Sequence, residues 1–192
     1  MTKKIVIAIS GPPGAGSTSI AREVAKKLKL KYFCIGKIQK KFGKTKKEAA
    51  ASLEVWKTEL GKSEKFHKNV LDKTQIEKAK EGNIVISAKL SIFMLKNLAD
   101  YKIWLDTSLK VRARRTAMRD KIPVERALKE IIKREKIERE IWKKIYGFDY
   151  FDQKYSADFV LDNSKLTLKQ AVNKILEFIE REEKKKKLQS NI

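Results

Sequence analysis

Of cysteine and histidine the 192 residues hold one each, of proline three, and of arginine nine. A lone Cys34 rules out an internal disulfide, and unpaired thiols are typical of the reducing cytoplasm, so a cytoplasmic protein is expected. Cys34 stands in the strand-like stretch KYFCI with no histidine near it, which reads as a buried structural thiol and not a nucleophile. His67 alone gives little to build a histidine-based triad or a multi-histidine metal site. Long apolar runs are missing too. The longest, Ile5 to Ile9, has five residues, against the roughly 20 of a membrane span. It is also too short for a signal peptide and leads straight into glycines, so no membrane partner is expected.

Positive charge is what the chain has in excess. Lys and Arg number 46 against 24 acidic residues, a net charge of +22. Lysines outnumber arginines 37 to 9, and no arginine falls between Arg22 and Arg112. Such a surplus favours anionic partners such as nucleotides, RNA or an acidic surface. Lysine-rich composition is also common in thermophiles.

The length suits a single domain, residues 1–192. KKIVIAI (3–9) is a continuous β-branched run, as a strand buried on both faces should be. Further strands are expected at 31–35, 84–86, 102–105 and 158–161, with helical periodicity between them. Pro123 suits the first turn of a long helix ending at Gly147, and Gly82 suits a helix stop. Strands alternating with helices predict an α/β fold: a five-stranded parallel sheet with helices on both faces. Two larger helical blocks, 36–81 and 120–150, interrupt the alternation. A basic tail, 184–192, reads as a fraying helix end.

GPPGAGSTS, Gly11 to Ser19, follows the first strand and opens a helix. The spacing of Gly11 and Gly16 and the hydroxyl of Thr18 fit the phosphate-loop pattern G-x-x-x-x-G-K-[ST], but Ser17 stands where the lysine belongs. Backbone N–H groups at a helix N-terminus cradle phosphate without any side chain. Gly11, Gly14 and Gly16 permit the close approach this requires, with Ala15 between the last two. Pro12 and Pro13 stiffen the loop but donate nothing. Ser17 keeps a hydroxyl donor, Thr18 is the candidate Mg²⁺ contact, and Ser19 adds a further donor. ATP binding is therefore expected to survive, with cations for the transition state drawn from elsewhere. A second tripeptide, Gly43-Lys44-Thr45, lacks the earlier glycine and a preceding strand and is a decoy.

The chain resembles the archaeal type of cytidylate kinase, among the P-loop nucleoside monophosphate kinases. In that family the loop reads much like G-P-P-G-S-G-T-T-T, already without lysine. Matching segments are EGNIVI (81–86), KIWLDTSLKVRARRTAMRD (102–120), RALKEIIKRE (126–135), IYGFD (145–149) and DFVLDNSK (158–165). The resemblance implies a P-loop NTPase fold in which 36–81 is an insertion binding the nucleoside monophosphate and 120–150 a helical lid. It implies γ-phosphoryl transfer from ATP to CMP or dCMP with Mg²⁺. A monomer is the default expectation.

Several arginines of the family pattern are replaced. Lys40 stands for one after the second strand, and Lys89, in SAK, for one after the third. The D-R-R-Q segment becomes Asp72-Lys73-Thr74-Gln75, where Asp72 and Gln75 are candidates to read a base or ribose edge. Lysine keeps the charge but loses the bidentate fork. In the lid, two arginines seven residues apart, about two turns of helix, become Arg134 and Ile141. Arg139 is two residues off and faces another way. Arg134, with Ser17 and Lys40, is the candidate catalytic set. Arg112 and Arg115 are candidates for the ATP side, and Lys40 and Lys89 for the acceptor side. An alternative from another class is a P-loop protein with little or no catalysis that uses its basic surface to bind RNA.

Overall fold

The computed structural model describes residues 4–40 and 54–189, apart from the side chains of Gln39 and Lys40. Five parallel strands form one sheet in the order β2-β3-β1-β4-β5. They are β1 (Val6–Ser10), β2 (Lys31–Cys34), β3 (Ile84–Ser87), β4 (Tyr101–Asp106) and β5 (Phe159–Asp162). Each lies within three residues of its expected position. β1 is central, with Ile7 paired to Val85 on one side and to Tyr101 on the other.

The uninterrupted apolar runs follow from burial on both faces. Ile7 and Ile9 point into a core shared with helix α1 (Ser17–Lys27) and the last helix. Val6 and Ala8 point to the opposite face, against Ala79 and Leu95. A third, aromatic cluster joins Trp56, Trp104, Trp142 and Tyr150 beside the sheet.

Helix α2 (Ile35–Lys40) follows β2 directly. The insertion resumes with short helical turns at Glu59–Lys62 and Glu64–Phe66. A π-helical stretch, His67–Asp72, then runs into α3 (Lys73–Glu81), which stops at Gly82 with φ 70°. Simple helical periodicity did not anticipate the π turn. Helix α4 (Leu109–Asp120) and the 23-residue α5 (Val124–Tyr146) pack on each other. Pro123 sits one residue before α5, with extended ψ of 147°, and Gly147 ends the helix with φ 79°. The last helix, α6 (Leu168–Gln189), continues through most of the expected frayed tail. Lys186 donates to the Tyr101 hydroxyl at 3.0 Å and lies over its ring, which ties that end back to β4. Among the described residues no helix is long and apolar enough to cross a membrane. The decoy Gly43-Lys44-Thr45 lies outside the described residues.

Between β3 and β4 the chain crosses β1, so the carboxyl end of β1 lies at a switch point of the sheet, where open α/β folds bind ligands.

Candidate active site

Gly11 to Gly16 leave β1 at that switch point. Gly14 and Gly16 have φ of 82° and 91°, conformations that penalise any other L-residue. Gly16 is the residue before α1, so the loop ends where the helix N-terminus concentrates free N–H groups. Packing constrains the loop as well. A Cβ on Gly11 would lie 2.9 Å from the Leu105 carbonyl oxygen, and one on Gly14 2.9 Å from that of Arg112.

The loop forms one wall of a cleft of about 730 Å³. Pro12, Pro13, Gly14, Ala15, Gly16, Ser17, Thr18 and Ser19 all line it. So do Asp72, Gln75, Lys89, Arg115 and Arg134, which come from four different parts of the chain. The loop's first glycine, Gly11, sits just behind, and its carbonyl accepts from Lys89 Nζ at 2.7 Å. Lys40 ends α2, and its side chain lies outside the described residues.

Two arginines brace the loop from α4. Arg112 is buried and is not part of the cleft wall. Its guanidinium donates to the Thr107 carbonyl at 3.0 Å, to the Pro13 carbonyl at 3.1 Å and to Glu135. Arg112 therefore holds the loop from behind and does not face the cleft. Arg115 does line the cleft. It donates to the carbonyls of Ala15 at 3.2 Å and Asn163 at 2.8 Å, and burial lowers its pKa. Asn163, after β5, donates in turn to the Ala15 carbonyl at 2.9 Å. The sequence reading missed Asn163, although it falls inside the matched segment DFVLDNSK.

At the other end of the cleft stand the helical block within 36–81 and helix α5. His67, Leu71, Asp72 and Gln75 all reach the wall. The wider π turn is what brings His67 and Asp72, five residues apart, to one side. Asp72 accepts from Tyr146 Oη at 2.6 Å and from Gln75 Nε2 at 3.3 Å. Burial raises its pKa, partly offset by these two donors. Gln75 Oε1 and Trp142 Nε1 are buried on this wall and have no partner among the described residues. His67 is stacked on Trp56 and bonded through Nε2 to the Gly61 backbone oxygen at 2.8 Å, and burial lowers its pKa.

Arg134 projects from α5 and donates from Nε to Glu138 at 2.7 Å. Glu138 is fully buried and accepts as well from Trp56 Nε1 at 3.2 Å, so one carboxylate ties α5 to the helical block before β3. Ile141 joins the aromatic cluster around Trp142 and Tyr150. Arg139 faces away, paired with Asp149 and stacked over Phe151.

Among the described residues no group of three or more His, Cys, Asp or Glu is placed to hold a metal. The donors present suit a Mg²⁺ that arrives with a nucleotide. Such an ion keeps most of its waters and takes its ligands chiefly from phosphate. Thr18, in the first turn of α1, would supply the protein hydroxyl.

A parallel sheet with a glycine loop at its switch point, facing a chamber closed by helical insertions, is the architecture of the P-loop kinases. Solved shikimate kinases share it. The enzyme from Acinetobacter baumannii, in complex with shikimate, superposes with a TM-score of 0.61 at 18% identity, covering 94% of this chain and 95% of that one. The enzyme from Bacteroides thetaiotaomicron gives 0.59 at 19%, over 93% and 99%. Sequence narrows the class: residues 6–165 match the cytidylate kinase-like family, and the chain belongs to that family. Cytidylate kinase of Pyrobaculum calidifontis is 38% identical over 180 residues, 91% of this chain and 92% of its own. That of Pyrococcus horikoshii is 39% identical over 165 residues, 84% and 81% of the two chains.

Proposed function

We propose that the protein transfers the γ-phosphoryl group of Mg²⁺-ATP to the phosphate of CMP or dCMP. The observation that carries this reading is one cleft with a phosphate loop at one end and a lined chamber at the other, in a chain whose relatives are cytidylate kinases. Phosphoryl transfer needs mainly positioning and charge neutralisation. The loop N–H groups and Ser17, Thr18 and Ser19 hold the ATP phosphates, and the Thr18 hydroxyl would hold the Mg²⁺ that neutralises their charge. Arg115 and Asn163 fix the loop beneath them. Arg134 brings positive charge from the lid as water is excluded. Lys40, at the end of α2, is the candidate cation for the acceptor phosphate.

Gln75 and Asp72 give a physical reason for cytosine. The Asp72 carboxylate holds the Gln75 NH₂ group, which leaves Gln75 Oε1 as a buried acceptor. An acceptor suits the exocyclic amine of cytosine and repels O4 of uracil. The relatives lend no support to an RNA-binding protein without catalysis.

The test is ADP formation from Mg²⁺-ATP with CMP, dCMP, UMP and AMP in parallel. Turnover confined to CMP and dCMP is expected. Equal turnover with UMP overturns the Gln75 assignment, and none with any acceptor overturns the kinase reading.

A further inference from the structure

The phosphate loop lacks its lysine, yet an ammonium group stands at the loop. Lys89 follows β3, 78 residues away in sequence, and its Nζ donates to the carbonyl of Gly11, the first glycine of the motif. Resting on the kinase reading above, we propose that Lys89 replaces the absent lysine at position 17, acting as the cation of the ATP phosphates in the transfer step and not as a ligand of the acceptor.

Three observations converge on this. First, the Lys89 backbone is pinned. Its carbonyl accepts from Ser10 Oγ at 3.1 Å and from Gln153 Nε2 at 2.8 Å, so the side chain leaves from a fixed point at the end of β1. A cation held in place before the substrate arrives does not have to reorganise during transfer. Second, the charges around the ammonium leave it in surplus. Arg112 is matched by Glu135 and Arg134 by Glu138, whereas a carbonyl oxygen is the hydrogen-bond acceptor of Lys89. Third, burial and the two arginines lower its pKa to about 7 against the pull of Glu138 and Glu135. A desolvated ammonium beside a phosphate loop is relieved by an incoming polyanion.

The experiment exploits the vacancy at Ser17. A lysine there reaches the β- and γ-phosphates in the common form of the motif. Steady-state turnover with Mg²⁺-ATP and CMP, and ATP affinity by calorimetry, are compared in the unmodified protein, Lys89→Met and Ser17→Lys/Lys89→Met. Lys89→Met is expected to lower kcat at least 100-fold while the KM for CMP changes less than threefold. Adding Ser17→Lys is expected to restore at least tenfold. A merely structural lysine would not be rescued from position 17. Two results overturn the proposal: no gain in the double variant, or a loss confined to the KM for CMP. Lys89→Gln, with the same double-variant comparison, replaces the methionine variant if that one does not fold. Should the unmodified protein turn over no acceptor, the kinase reading fails by itself. The ATP affinities then decide: weakening by Lys89→Met with recovery by Ser17→Lys upholds the proposal, and unchanged affinity overturns it.

Discussion

Gly14 and Gly16 have the same sign of φ but different surroundings, and the difference can be measured. At Gly16 a methyl group meets nothing closer than 3.9 Å among the described residues, so Gly16→Ala carries only the left-handed strain, about 1–2 kcal/mol. At Gly14 the same strain adds to a 2.9 Å approach to the Arg112 carbonyl. Gly14→Ala is therefore expected to cost about 3 kcal/mol and to weaken ATP binding more, since relief of the clash displaces the loop. Thermal unfolding and ATP titration of the pair check this, and equal losses would refute it. Arg134 belongs to the same scale. Arg134→Ala leaves the buried Glu138 with Trp56 as its donor, a loss of about 3 kcal/mol. Its turnover should fall at least tenfold with a smaller change in ATP affinity, because a lid cation acts mostly in the closed transition state. Unchanged turnover would make Arg134 structural only.

At the scale of elements, α5 shows what its sequence conveys and what it hides. The seven-residue interval between Arg134 and Ile141 was readable, as was the isolation of Arg139 on another face. That Ile141 serves an aromatic cluster was not readable, because Trp104 and Tyr150 reach it from outside the helix. Returning an arginine there is expected to fail: Ile141→Arg puts a guanidinium among aromatic rings, costs about 2 kcal/mol and gives no gain in kcat. A lowered melting temperature with flat turnover supports this, and faster turnover would refute it. The central strands β1 and β3 were legible because burial on both faces leaves an unbroken apolar run. The phosphate loop was legible because its parts are adjacent in sequence. Lys89 on Gly11 and Trp56 on Glu138 were not, since those bonds span 78 and 82 residues and depend on how the elements dock.

For the whole molecule, two displaced pKa values contribute a pH dependence of stability near and above neutrality. His67 is held neutral by burial, with a folded pKa below its ordinary 6.5, so the unfolded chain takes up protons first as pH falls and stability drops below about 6.5. Lys89, brought from 10.5 to about 7, acts in the same direction at higher pH. The unfolded chain keeps that proton to about 10.5, so the free protein gains stability as pH rises from about 7 to about 10. ATP favours the charged lysine and opposes this trend. The rise in melting temperature produced by Mg²⁺-ATP should therefore shrink between pH 7 and 9, and Lys89→Met should flatten that slope. An ATP-induced shift that grows with pH would contradict the linkage.

The π-helical turn at His67–Asp72 makes one rod serve two clients that lie out of phase. Upstream, the rod must present His67 and Asp72 to the cleft, and downstream it must seat Ile76 and Ala79 on β1 and β3. The extra residue in the wide turn acts as an angular offset between those duties, as a keyway cut at two angles lets one shaft drive two wheels. Deleting one residue there would restore ordinary winding, yet it would turn everything upstream by roughly 100° relative to α3. The sheet would keep its grip while the His67–Asp72 end of the cleft lost its timing.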